Sequence, residues 1–115
     1  MKGDLEMMIA LAQADVLRAL KRYRCLAKQD LVFCQYQDDP DFWRSYALAR
    51  YNIYQWLERM VLTCGVNQTY LLAVERYAGL PLFISSSRDK GVKEALEVFF
   101  LFIAGESPMD AKVNA

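Results

Sequence analysis

Apolar positions recur along this chain at steps of three and four, which is the period of an amphipathic helix. In the first block Leu5, Ile9, Ala12, Val16, Ala19, Tyr23, Leu26 and Ala27 mark one face, and Leu31 and Cys34 continue it. Met7, Leu11, Ala14 and Leu17 widen that stripe. No Pro or Gly interrupts the pattern from Asp4 to Gln37, so one helix of about 50 Å is expected, with Lys28–Asp30 as the place for a break.

A second helix should start at Asp38-Asp39-Pro40-Asp41, where an Asp caps, Pro takes the first turn and another acid follows. Phe42, Tyr46, Ala49, Ile53, Trp56 and Met60 form its stripe, beside Trp43, Ala47, Tyr54, Leu57 and Val61. Gly65 should end it. A short third helix follows, capped by Asn67 and closed by Gly79-Leu80-Pro81, with Leu71, Val74 and Ala78 inward. Leu82-Phe83-Ile84 reads as an extended connector packed against the core. The last helix is expected from about Arg88 to Ala104, with caps among Ser85–Ser87, Asp89 three residues after Ser86, and a stop at Gly105. Its main stripe is Val92, Leu96, Phe99 and Ile103, and its second half is apolar on every side, which requires burial on more than one side.

No segment alternates with a two-residue period. The expected fold is therefore all-α, a helical bundle of three long helices and one short one. Residues 1–105 form a single helical domain, and residues 106–115, with Pro108 and no periodicity, form a frayed C-terminal tail.

Composition narrows the function classes. The 115 residues carry a formal net charge of zero, with six basic and six acidic side chains in residues 1–40. That balance removes the general electrostatic attraction to nucleic acid or an anionic membrane. The longest apolar run, Val98–Ala104, is too short to cross a bilayer. Asp4 and Glu6 stand where a secretion signal needs a basic flank and an apolar run, and Cys25, Cys34 and Cys64 make no disulfide framework. A cytoplasmic chain is expected. The hydrophobic fraction of 55% and mean hydropathy of +0.02 leave apolar surface for a partner to cover.

Candidate chemistry is sparse. The chain has no histidine, hence no Ser-His or Cys-His pair and no histidine metal ligand. Its glycines form no phosphate-binding loop. Neither a catalytic residue nor a cofactor is assigned. Glu94 and Glu97 could join Glu58 and Glu75 in a carboxylate metal site, but pairing with Lys90 and Lys93 on one helix face explains them, and no metal is assigned.

Three functional readings remain. The leading one is a non-enzymatic interaction or adaptor protein, a homo-oligomer with a dimer as the default, associating through Trp43, Arg50, Tyr51 and Tyr54 of the second helix and Phe99, Phe100 and Phe102 of the last. Arg50 could instead stack on Tyr46 or Tyr54, one turn away. The alternative is a DNA-binding regulator in which residues 60–79 resemble a helix-turn-helix, with Gln68, Thr69 and Arg76 as contacts and a basic stretch (Arg18, Lys21, Arg22, Arg24, Lys28) on the first helix. The third is a small-molecule or metal binder within the bundle.

Overall fold

A computed structural model describes residues 12–105. They form α1 (Gln13–Phe33), a 3-10 turn (Cys34–Tyr36), α2 (Pro40–Ala78) and α3 (Ser87–Ala104). No strand occurs among the described residues, so the fold is all-α as expected. Residues 1–11, with Leu5, Met7, Ile9 and Leu11 of the first stripe, and the expected tail 106–115 lie outside the described residues.

The expected count of four helices is met in part: Pro40–Ala78 is a single helical stretch, but it is kinked into two limbs at Gly65, where the second helix was expected to end and a short third one to follow. Gly65 has φ 85° and ψ 172°, a conformation open to glycine and strained for any residue with a Cβ. The Arg76 guanidinium lies 4.8 Å from the centroid of the Trp56 ring. Twenty positions of straight helix would separate them by about 30 Å. Residues 66–78 therefore double back beside residues 40–64. The Thr69 hydroxyl donates to the Gly65 carbonyl at 2.7 Å, and the Thr63 hydroxyl to that of Arg59 at 2.7 Å, so side chains serve the carbonyls around the bend.

Gly65 also resets the helical phase. Leu71, Val74 and Ala78, expected inward, are exposed, while Val66, Thr69 and Ala73 are buried. Tyr70 and Tyr77, on the same side, meet Phe100 of α3 edge-on at 5.8 and 5.5 Å.

Elsewhere the caps stand as expected. The Asp39 carboxylate accepts the Phe42 N–H at 3.3 Å with Pro40 in the first turn. Ser86 Oγ accepts the Asp89 N–H at 3.1 Å, and Gly105 closes α3 in the left-handed region at φ 74°. The first helix has no break at Lys28–Asp30; it runs to Phe33 and tightens into the 3-10 turn. Its buried line is Val16, Leu20, Ala27 and Cys34, with Leu26 exposed beside it.

The core gathers Leu20, Ile53, Tyr54, Leu57 and Val61 against Val92, Leu96, Phe99 and Ile103, the stripe foreseen for α3. Each of the larger side chains contributes about 1.5–3 kcal/mol on burial. Phe102 meets Tyr23 of α1 at 6.4 Å, so α3 is covered by α1 on one side and by the folded-back limb of α2 on another. Val98, Phe100, Leu101 and Phe102 of its apolar end are nonetheless only half-buried. No helix among the described residues is long and apolar enough to cross a membrane.

The connector departs from expectation. Leu82 is 91% exposed and Phe83 87%, and only Ile84 is half-buried.

Candidate functional site

Arg50 lies on the buried side of α2, between Ala47 and Tyr54, with 15% of its side chain exposed. A charge in that position needs partners. Its Nη1 donates to Asp30 Oδ2 of α1 at 2.6 Å, and its Nε stands 3.3 Å from Glu94 Oε2 of α3. That Nε–H is off the hydrogen-bond line and is the one buried side-chain polar atom without a hydrogen-bond partner among the described residues. The guanidinium also lies over the Tyr46 ring at 5.4 Å, while the Tyr46 hydroxyl donates to Glu94. One cation thus joins all three helices.

The surroundings fix the protonation of this junction. Burial works against the Arg50 charge, but the Asp30 hydrogen bond and the nearby oxygens of Tyr54 and Glu94 outweigh it and raise its pKa. Burial pushes the Tyr54 phenol up to about 12. Tyr46 is raised further, by burial and then by its hydrogen bond to Glu94. Both phenols stay protonated at neutral pH, and the cluster ties the helices together.

Beside it opens a cavity of about 160 Å³. Phe33, Cys34, Trp43 and Ala47 supply apolar walls, and the Asp30–Arg50 pair lines its polar side. The 3-10 turn creates this opening by carrying Cys34 inward and leaving Phe33 and Tyr36 out. Phe33 is 57% exposed, Tyr36 75% and Trp43 40%, and the Phe33 and Tyr36 rings lie 6.5 Å apart. On the other side of Tyr46 a wider groove of about 440 Å³ runs between the connector and α3, lined by Leu82 and Ile84 and by two lysines and two acids, Lys90, Lys93, Glu94 and Glu97. Acidic Asp38, Asp39 and Asp41 flank the cavity in sequence, and basic Arg88, Lys90 and Lys93 flank the groove; all six are exposed. Lys90 Nζ lies over the Phe42 ring, 5.6 Å from its centroid.

The residues expected to form an association face are divided by the structure. Trp43 stands at the cavity rim and Arg50 in the junction. Tyr54 and Phe99 are buried in the chain's own core, which corrects their placement on an association face. Tyr51, Phe100 and Phe102 are half-buried and packed on that core. Of the aromatic side chains between Phe42 and Trp56, Tyr54 is buried in the core, Trp43 is exposed, and Phe42, Tyr46, Tyr51 and Trp56 are half-buried. Of the expected DNA contacts, Gln68 is exposed, Thr69 is fully buried with its hydroxyl bound to Gly65, and Arg76 lies on Trp56, so the three form no common surface.

The other polar candidates form pairs. Arg24 binds Glu58 at 2.5 Å across α1 and α2, which raises the Arg24 pKa, first through that hydrogen bond. Arg18 pairs with Asp15 at 3.4 Å in solvent. Glu97 accepts from Tyr77 at 2.8 Å and pairs with Lys93 at 3.5 Å, whereas Glu94 turns to Arg50 instead of Lys90. No cluster of three metal-ligating side chains occurs among the described residues.

Sequence reasoning did not single out Phe33, Tyr36, Leu82 or Phe83 as surface. Phe33 and Tyr36 lie off the Leu31–Cys34 stripe, and that offset was the available signal. No known protein family, curated protein or solved structure matches the chain.

Proposed function

We propose that this chain is a non-catalytic association module that works as a homodimer, in the cytoplasm. The observation that carries this reading is the set of large apolar side chains left exposed: Phe33 and Trp43 at the cavity, Tyr36 beside Phe33, and Leu82 and Phe83 on the connector. Large aromatic anchors beside a pocket are the side chains that dominate binding energy at interfaces, and exposed apolar patches mark interaction sites. A net charge of zero puts no overall repulsion between copies. Three free cysteines accord with a reducing compartment. Sedimentation velocity over micromolar concentrations tests it: a concentration-dependent dimer is expected, and a monomer throughout that range sinks the homodimer.

The cavity also favours a second reading, a small apolar ligand held between α1 and α2. A ligand that prefers the native state must raise its melting temperature. Benzene and small phenols, titrated in a thermal-shift assay, should then raise Tm with concentration.

A further inference from the structure

We infer that the connector between α2 and α3 is a processing site, cut after Phe83 by a protease whose primary pocket takes a large aromatic side chain, and that the two pieces stay together after the cut. Hydrolysis adds one water across the Phe83–Ile84 peptide bond. Phe83 keeps the new carboxylate and Ile84 the new amine.

The main chain of the connector is open. An extended peptide binds through main-chain groups that are free to pair with its partner. Leu82, Phe83, Ile84 and Ser85 make no backbone hydrogen bond among the described residues. The bond before them runs from the Leu80 N–H to the Tyr77 carbonyl, and the bond after them from the Lys90 N–H to the Ser86 carbonyl, each at 3.1 Å. Pro81 has no N–H to offer. Only the half-buried Ile84 must lift from the groove beside α3.

The side chains are open as well. Leu82 and Phe83 are almost wholly exposed, so the ring enters a protease pocket without leaving a place in the core. Exposed loop tips are where nicking concentrates.

The rest of the chain offers no equal target. All its aromatic residues stand between Tyr23 and Phe102, and the exposed ones are Phe33, Tyr36, Trp43 and Phe83. Phe33 ends α1, and Tyr36 ends the 3-10 turn, where the Gln37 N–H donates to the Cys34 carbonyl at 3.1 Å. Trp43 lies in the first turn of α2, its N–H bound to the Asp39 carbonyl at 3.1 Å. Cutting after any of those three requires hydrogen-bonded turns to open first, at the cost of local unfolding. Cutting after Phe83 does not.

Nothing that holds α3 in place passes through the connector. Val92, Ala95, Leu96, Phe99 and Ile103 are buried in the common core. Glu94 meets Arg50 and Tyr46, and Glu97 accepts from Tyr77. The cut leaves all of these contacts standing. It turns the packing of α3 into the binding of an amphipathic helix in a groove, whose strength then depends on concentration.

The experiment treats the full chain with chymotrypsin under native conditions, in dilute solution so that association of copies does not cover the connector. Products are followed over time by mass spectrometry and by size-exclusion chromatography. The first cut between residues 12 and 105 is expected after Phe83, and the piece ending at Phe83 should elute with the piece beginning at Ile84, at the volume of the uncut chain. Phe83→Ser, with its fold checked by circular dichroism, should slow cutting of the connector at least about tenfold, because the apolar pocket loses its ring. A first cut after Phe33, Tyr36 or Trp43, or an unchanged rate in Phe83→Ser, overturns the processing site. Pieces that separate on the column overturn the two-piece complex. Sedimentation of the uncut chain tests the homodimer separately, so either reading can fail alone.

Discussion

Gly91 of α3 rests directly on the Tyr46 carbonyl of α2: a Cβ at Gly91 would collide with that oxygen and stand 2.9 Å from the Ala49 Cβ. The contact brings two helix backbones together at the end of the bundle where the cavity and groove open. Ala is the better helix former by about 1 kcal/mol, yet here it must push the helices apart. Gly91→Ala is expected to cost about 1–3 kcal/mol net, read as a lower urea midpoint. A gain in stability would show that the helices do not meet this closely.

At Gly65 the argument is conformational, since nothing lies within 4 Å of where a Cβ would be. A side chain is strained there by its φ of 85° alone. Gly65→Ala should lose about 1–3 kcal/mol, and Trp56 emission should move toward that of a water-exposed indole if the Arg76 contact opens. An unchanged urea midpoint would remove the bend.

The phase of the limb after Gly65 yields a paired prediction. Leu71→Gln and Val74→Gln should each change stability by at most about 1 kcal/mol, because more than two-fifths of each residue is already in water. Ala73→Gln should cost several times more, since Ala73 is fully buried. The opposite ranking would restore the face expected from the sequence.

Arg50 separates charge from packing. Arg50→Met keeps the apolar stem, and Asp30 and Glu94 are each about half exposed and can rehydrate. A loss of about 1 kcal/mol is expected, discounted for that solvent access. Arg50→Ala also removes the stem from beside Tyr46 and should lose about 3 kcal/mol. Equal losses in the two variants would mean that the charge alone matters.

The Tyr54 phenol sets an alkaline limit. Its folded pKa of about 12 stands above the ordinary 10, so the neutral form is favoured by folding. The stability linked to it is complete below pH 10 and is lost as pH rises toward 12. The amount is about 3 kcal/mol at 1.36 kcal/mol per unit. Urea titrations at neutral and alkaline pH should show the loss, and Tyr54→Phe should remove this part of it. A Tyr54→Phe profile parallel to the wild type would sink the assignment.

Much of the architecture was legible because its signals are local. Asp39, Ser86 and Gly105 act within one turn of where they stand, and the stripe from Val92 to Ile103 needs only the helical period. The pattern failed at Gly65, where a positive φ breaks the phase and the inward face shifts from Leu71 to Ala73. The site was less legible. Asp30 and Glu94 lie far from Arg50 in sequence, and no periodicity records that a single guanidinium meets both. Leu82 and Phe83 misled for a related reason: apolarity alone does not say whether a side chain is covered by its own chain.

The reversal at Gly65 also bears on how quickly this molecule assembles. The platform for α3 comes from two helical limbs joined at Gly65 within 39 consecutive residues, in which Trp56 and Arg76 meet after a short loop closure. The entropic cost of closing so short a loop is small, and chains dominated by near-neighbour contacts fold fast. The hairpin within α2 can therefore form first and serve as the nucleus onto which the two outer helices condense.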